Sequence, residues 1–389
     1  MHHLTIRELG PIRELDMDVS DFTVLTGPQA SGKTTIAKAI YLFRSVKEDV
    51  LELLGMEQSQ SDFNVLLRQM FLRKFQGLFG DTHSEKMRIR YMYDDDNQIE
   101  IQSKCVKKSI VQPVWLTAFN AHVHWPTVVS HQTFFIPAGR TVSTQLASSL
   151  AFILAKLSDE QKSQLDYATR TYLEKILEHQ YSFRHGWAGL DDLAEDKATL
   201  DAAKQLGARI LGGEYQYLKW QGEYIILPDG KEIQIHLASS GQQEAVWVLN
   251  FLYRALAKDE KTFFIIEEPE SHLFPEAQND MMQFVSLIKN AGHQMLITTH
   301  SPYVLASVNN LLYAHQVGQK KPEETRKIIG EKLWLNPKTF AGLHVCNGKP
   351  ENAMDAETQL FRNELIDGVS AKINGEFDAL LELNYTGVD

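Results

Sequence analysis

FTVLTGPQASGKTT, residues 22–35, decides how the rest of this 389-residue chain is read. The first five positions are apolar or β-branched, the composition of a buried strand. Gly27 follows at once, then Pro28, Gln29, Ala30 and Ser31, then Gly32, Lys33, Thr34 and Thr35, which satisfies the GxxxxGK[ST] pattern of a phosphate-binding loop. Glycines at those positions let backbone N–H groups turn inward around a polyphosphate, where a side chain would block close approach. Lys33 would meet the β- and γ-phosphates, and the Thr34 hydroxyl would hold Mg²⁺. Ile36, Ala39, Ile40 and Phe43 then recur at helical spacing, so a helix N-terminus points its positive dipole end at the same anion. A ligand-free glycine turn can match the pattern too, but a strand before it and a helix after it are the context that marks a binding loop.

Composition sets the outer limits. With 43% hydrophobic and 23% charged residues, the chain is ordinary globular material, long enough for two or three structural units around a large core. Cys105 and Cys346 stand far apart and lack metal-ligand spacing, so both are read as core residues of a protein in a reducing cytoplasm. The N-terminus lacks the order of a signal peptide, and no apolar run is long enough to cross a bilayer, so no membrane is expected. A net charge of −11 opposes a nucleic-acid-coating role, which needs clustered Lys and Arg. Three local clusters remain: Arg68, Arg73 and Lys74; Lys104, Lys107 and Lys108; and Lys320, Lys321, Arg326 and Lys327. Solvated faces are the commoner fate of such clusters.

Along the chain, residues 4–9 and 13–18 read as an antiparallel pair turning at Gly10-Pro11 and leading into the 22–26 strand. Residues 46–79 are polar and helical. Residues 86–93 and 98–103 alternate around an Asp-rich turn, a hairpin signal. Residues 131–140, HQTFFIPAGR, are a strand that ends in Pro137, Gly139 and Arg140. Ligand groups sit just past strand ends in α/β proteins, so Arg140 has two readings, a phosphate- or partner-facing cation and a structural salt bridge. From 143 to 207, Leu146, Leu150, Ile153, Leu154 and Leu157, then Leu165, Leu173, Ile176 and Leu177, recur at three- and four-residue steps. That is a helical insertion without the sustained heptads of a long coiled coil. Strand character returns at 215–220, 223–227 and 231–236. The expected division is therefore 1–142, a helical insertion at 143–209, and 210–389.

The second half holds three more constellations. Ser239, Ser240, Gly241 and Gln242 precede an apolar helical face of Ala245, Val248, Leu249, Leu252 and Leu256, which makes them either a plain helix cap or a second anion site. TFFII at 262–266 reads as a central parallel strand covered on both faces, ending in Glu267-Glu268-Pro269-Glu270. Carboxylates at a buried strand tip are costly unless they hold a metal or a water. If that strand lies beside the 22–26 strand, Glu267 would hold Mg²⁺ through water and Glu268 would polarise the attacking water. A helix at 275–290 follows, with Pro275 at its start. The apolar strand at 294–299 then delivers His300 at its tip, a γ-phosphate contact by position. Beyond residue 311, short strands and loops are expected, including 343–347, and then an acidic helical tail with Glu376, Asp378, Glu382 and Asp389.

Taken in order, GPQASGKTT at 27–35, ASSGQ at 238–242, IIEEPE at 265–270 and TTHSP at 298–302 resemble the ABC-type ATPase heads. The nearest likeness is to their soluble OLD-like and SMC-like branch rather than to transporters, and it spans nearly the whole chain outside the helical block. The resemblance implies an α/β P-loop NTPase fold with a mixed central sheet, an antiparallel β subdomain and a helical insertion. It also implies ATP and Mg²⁺ as cofactors and two heads that dimerise face to face. Ser239 and Gly241, flanked by Ser240 and Gln242, would contact the γ-phosphate bound by Lys33 and Thr34 of the other subunit. Glu268 would be the general base, Glu267 and Thr34 the metal residues, and His300 the switch, with Ser271 and His272 touching the partner head. Ala238 and Ser240 depart from the Leu and Gly of the transporter form, and Glu267 stands where Asp is commoner. The family's glutamine loop has no evident counterpart.

OLD nucleases carry a Toprim domain with a glutamate and a DxD pair. No DxD follows His300 and the remaining chain is short for that domain, so this polypeptide is not expected to cut nucleic acid itself. It looks like the stand-alone ATPase subunits of bacterial anti-phage systems of the PARIS, Septu and retron types. The expectation is an ATP-hydrolysing switch that forms a dimer or higher oligomer through its heads and controls a separately encoded effector, a nuclease or toxin. DNA and a phage-encoded trigger are further candidate partners. The alternative is a DNA-tethering repair ATPase of the SMC type, which calls for a long coiled coil or a basic groove; a transporter's nucleotide-binding subunit is a third reading without a matching signature.

Overall fold

The computed structural model describes residues 2–55, 60–80, 83–95, 97–103, 131–145, 155–158, 161, 165–218 and 221–386. Strands β1 (His3–Leu9) and β2 (Ile12–Asp18) pair antiparallel across a tight turn, and β3 (Phe22–Thr26), buried at every position, runs through the glycine-rich loop into helix α1 (Lys33–Arg44). Helices α2 (Val46–Leu54) and α3 (Gln60–Phe79) precede the hairpin β4 (His83–Met92) and β5 (Gln98–Gln102). β6 (Gln132–Ile136) leads past Arg140 into the short α4 (Thr141–Gln145). Helices α5 (Tyr167–His179) and α6 (Lys197–Leu211) flank two 3₁₀ turns. A three-stranded antiparallel sheet of β7 (Glu214–Leu218), β8 (Gly222–Ile226) and β9 (Glu232–Gln234) gives way to the long α7 (Ser240–Lys258). Then follow β10 (Thr262–Glu267), α8 (Pro275–Asn290), β11 (Gln294–Thr299), α9 (Pro302–Gly318), the short α10 (Pro322–Arg326), β12 (Phe340–Cys346), β13 (Lys349–Asn352) and α11 (Asn363–Thr386).

The central sheet has the order β13-β12-β3-β11-β10-β6. β12, β3, β11, β10 and β6 run parallel, and β13 is an antiparallel edge. Alternation along each strand gives each face its own core. Phe22, Val24, Phe264, Ile266, Met295 and Ile297 pack with α7, α8 and α9 on one side. Leu25, Phe263, Ile265 and Leu296 pack with α1 and the antiparallel sheet β2-β1-β4-β5 on the other. A parallel strand covered on both faces has no solvent side, which is why TFFII carries no polar alternation. Leu200, Ala203, Leu206 and Ile210 of α6 belong to the same core as α7 and α8.

Four expectations need correction. β10 does not lie beside β3, because β11 separates them, so the strand that ends at His300 stands between the lysine loop and the acidic doublet. Residues 302–318 form a helix rather than loops beyond 311: Ser301 caps it by accepting from the N–H groups of Tyr303 and Val304, and Val304, Val308, Leu311 and Leu312 bury one face. Residues 235–237 close into a 3₁₀ turn instead of extending a strand. Cys346 is half-buried at an outer strand rather than a core residue. Cys105, the cluster Lys104, Lys107 and Lys108, and the apolar positions Leu146, Leu150, Ile153 and Leu154 lie outside the described residues.

Candidate active site

The loop between β3 and α1 is shaped by close backbone contacts. Gly27 has φ +142°, and a Cβ there would stand 2.2 Å from the carbonyl oxygen of Val345 in the neighbouring strand, so only glycine lets the chain leave β3 this way. Gly32, at φ +110°, opens α1 without a side-chain cap, which leaves the first-turn N–H groups for a ligand. Lys33 Nζ donates to the carbonyls of Gly27 and Pro28, each at 2.8 Å. Burial lowers the Lys33 pKa, against the pull of Glu268, Glu270 and Glu267. The buried hydroxyl of Ser31 has no hydrogen-bond partner, a costly state that a phosphate oxygen would relieve.

Glu267 ends β10 with its carboxylate buried. One oxygen accepts from the Ala138 N–H at 3.2 Å, and the other has no partner. Burial pushes its pKa up, while the Thr34 hydroxyl beside it, the Ala138 N–H and the Lys38 charge favour the ionised form. A half-satisfied carboxylate next to a threonine hydroxyl is an oxygen donor set that suits Mg²⁺, which usually takes its remaining ligands from phosphates and water. Among the described residues no group of three or more His, Cys, Asp or Glu could hold a metal by itself.

Glu268 takes φ +44°, a conformation that residues with a Cβ rarely adopt. Its N–H donates to Thr298 O at 2.9 Å, and its carbonyl accepts from Ser271 N–H at 3.0 Å and from Arg140 Nη2 at 2.9 Å. On the side chain, Oε2 accepts from the Ser271 hydroxyl at 3.2 Å and Oε1 lies 3.2 Å from His300 Nε2. His300 Nδ1 makes a long contact of 3.5 Å with Lys33 Nζ. A neutral imidazole protonated at Nε2 satisfies both neighbours, accepting from the lysine and donating to the glutamate; the tautomer is assigned from this network. The His300 and Glu268 side chains remain 32% and 36% exposed, so a ligand can reach them. Glu270, the third acid of the loop, is buried and accepts from the Thr299 hydroxyl and from His300 N–H at 3.2 Å. Burial pushes its pKa up in spite of those donors.

The structure therefore brings Lys33, Thr34, Glu267, Glu268 and His300 together. Ser239, Ser240, Gly241 and Gln242 lie instead at the start of α7. Ser239 and Gln242 make a reciprocal capping box, with Ser239 and Ser240 exposed. Gly241 is packed so closely that a Cβ would come 2.7 Å from the carbonyl of His272, which fixes this turn against the loop after β10. Arg140 does not face open surface. It is buried and paired with Glu244 at 3.2 Å, so the structural salt bridge is the correct one of its two readings. Sequence reading missed Glu270 and Glu244. The signal for Glu244 was present, as an acid at an inward position of an otherwise apolar helical face.

Among the described residues, two of the basic clusters have a member tied up in ion pairs. Lys74 is buried and paired with Asp49 at 2.7 Å, and Arg326 is paired with Glu323 and Glu331. No helix among the described residues is long and apolar enough to cross a membrane.

A strand, a glycine-rich loop with GK[ST] and a helix, facing an acidic strand tip across a parallel sheet, define a P-loop nucleotide-binding protein. Residues 1–182 and 130–305 match the family model of the AAA ATPase domain, well over half of the chain, and the chain belongs to that family. It is similar to the energy-coupling factor transporter ATP-binding protein EcfA2 of Lactobacillus acidophilus, 23% identical over 177 residues, which are 45% of this chain and 60% of that protein. The chain thus spans about 60% of the length of this curated relative. Among solved structures it is similar to an Smc head bound to the C-winged helix domain of ScpA, at 12% identity and a TM-score of 0.44, covering 90% of this chain and 95% of that one. The SMC head domain from Thermotoga maritima is similar at 12% identity and a TM-score of 0.39, covering 90% and 96%.

Proposed function

We propose that this chain is an ATP-driven switch of the ABC type, whose heads close in pairs on ATP and reopen after hydrolysis. The observation that carries the reading is the run of contacts from Lys33 Nζ to His300 Nδ1, 3.5 Å, and from His300 Nε2 to Glu268 Oε1, 3.2 Å, across the tips of the adjacent strands β3, β11 and β10. In this reading residues 27–35 cradle the triphosphate with backbone N–H groups, and Lys33 neutralises its β and γ oxygens. Thr34 and Glu267 would hold Mg²⁺, which when bound would draw charge from the phosphate oxygens. Glu268 takes a proton from the attacking water as the bond from the γ-phosphorus to the ADP oxygen breaks, giving ADP and phosphate. His300 senses the γ-phosphate. Residues 239–242, of which Ser239 and Ser240 are exposed, close over the γ-phosphate of a second copy, so the closed state gains contacts that ADP cannot supply.

The division into head segments 1–142 and 210–389 with an insertion at 143–209 belongs to this proposal. So does control of a separately encoded effector in anti-phage defence, which rests on analogy with heads of this type and not on a motif. Glu268→Gln tests the chemistry. It is expected to bind ATP like the wild type, to turn over about 100-fold more slowly, and to accumulate an ATP-dependent dimer in analytical ultracentrifugation. Turnover near wild type would remove Glu268 as the base. Gel shifts with duplex DNA across a salt series separate this reading from SMC-type tethering, in which affinity is strong and falls steeply with salt.

A further inference from the structure

We infer that Arg140 and Glu244 form a positioning unit that ties the turn at residues 239–242 to the backbone of the hydrolytic carboxylates; this rests on the proposed role of Glu268. The Arg140 guanidinium is wholly enclosed, and its bonds are aimed. Nη1 donates to the carbonyls of Pro137 at 2.8 Å and Glu267 at 2.6 Å, Nη2 to the carbonyl of Glu268 at 2.9 Å, and Nε to the carbonyl of Glu244 at 2.8 Å. The Glu244 carboxylate closes the circuit by accepting from the N–H groups of Arg140 and Thr141, at 3.0 and 2.9 Å, and from the Thr141 hydroxyl at 2.6 Å. Burial opposes its charge, yet Arg140 and these donors hold its pKa below the usual carboxylate value.

Neutralising a buried arginine requires one carboxylate, and Glu244 supplies it. Charge balance alone does not require the two further bonds to consecutive carbonyls at the tip of β10. Those bonds fall where the backbone is least comfortable, because Glu268 sits at φ +44° and its carbonyl is held by Arg140 and Ser271. Releasing that carbonyl would let residue 268 relax and swing its carboxylate away from His300. Glu244 lies in the second turn of α7, the helix that Ser239 caps. A displacement of residues 239–242 on pairing with a second head therefore moves Glu244, and through Arg140 it moves the carbonyls of Glu267 and Glu268.

The test measures steady-state turnover against ATP concentration, nucleotide affinity with a fluorescent ATP analogue, and folding by thermal melt, all on the full chain. Arg140→Lys and Glu244→Gln are expected to melt cooperatively and keep KM and affinity within about twofold, while kcat drops about tenfold or more. The double variant should lose no more than the worse single one, because the residues act together. A folded Arg140→Lys with wild-type kcat, a parallel loss of affinity and kcat, or additive losses in the double variant would each overturn the inference. Should neither single variant fold, Thr141→Val decides: it deletes one hydroxyl bond to Glu244 while keeping the side-chain shape. Lowered kcat at unchanged affinity supports the unit, and unchanged kcat overturns it. Wild-type protein that binds ATP without turnover would remove the Glu268 reading and this inference with it, whereas wild-type turnover with undisturbed variants removes only the inference.

Discussion

The Glu267 carboxylate is buried, yet one of its oxygens has no partner, an arrangement that costs stability unless a cation completes it. Glu267→Gln removes the charge and keeps the shape, so two effects of opposite sign are expected. Without nucleotide the melting temperature should rise, because a desolvated carboxylate is gone. The further upshift on adding Mg²⁺ and ATP should shrink, because the metal has lost its anionic partner. Differential scanning fluorimetry with and without Mg·ATP reads both, and a variant destabilised in both conditions would mean that Glu267 serves the fold alone. Lys33 invites the complementary experiment. Its ammonium is held by two loop carbonyls and feels the charge of three carboxylates, and in the proposed reading it waits where the phosphates would sit. Lys33→Ala should weaken ATP binding on the order of 100-fold by calorimetry, the value of a charge-assisted bond or two. Unchanged affinity would detach the loop from nucleotide.

At the scale of elements, the start of α7 has two possible duties, and one substitution separates them. Ser239 Oγ accepts from Gln242 N–H at 3.4 Å, and Gln242 Oε1 accepts from Ser239 N–H at 3.0 Å, a reciprocal cap. Asp caps as well as Ser. Ser239→Asp should therefore keep the melting temperature, yet its carboxylate would repel a γ-phosphate and abolish the ATP-dependent dimer in ultracentrifugation. A dimer that still forms would reduce Ser239 to a cap. The legibility of the elements follows the same local physics. β3, β10 and β11 can be read because buried parallel strands are apolar throughout, and α8 because Pro275 opens it and Ala291-Gly292 closes it. Lys33, Glu267, Glu268 and His300 were readable with them, since each lies at or just past the tip of such a strand. The order of the strands was not, because β11 enters between β3 and β10 through crossover packing that no local run encodes. Arg140 was ambiguous for a related reason: IPAGR reads the same whether the guanidinium ends in solvent or on the carbonyls of Glu267 and Glu268.

At the scale of the molecule, two cores meet across one sheet, and the face that carries α7 also packs the small sheet of β7, β8 and β9. Glu223 of β8 is caught inside that junction, where its Oε1 accepts from the Tyr215 hydroxyl and Trp247 lies close by. Burial pushes its pKa from the ordinary 4.5 to about 7, although the Tyr215 and Trp247 groups pull the other way. The folded protein therefore holds a proton on Glu223 between those two values that the unfolded chain has released. Wherever the folded state binds more protons, stability falls as pH rises. This contribution is thus fully present below pH 4.5, declines as pH rises, and is lost once pH passes about 7. A shift of that size corresponds to about 3 kcal/mol between the two limits. Glu223→Gln keeps the hydrogen-bonding shape and cannot ionise, so it should leave stability near pH 5 little changed and raise it at pH 8. Calorimetric melts of both proteins from pH 5 to 8 would show two curves that diverge upward in pH, and parallel curves would place the proton elsewhere.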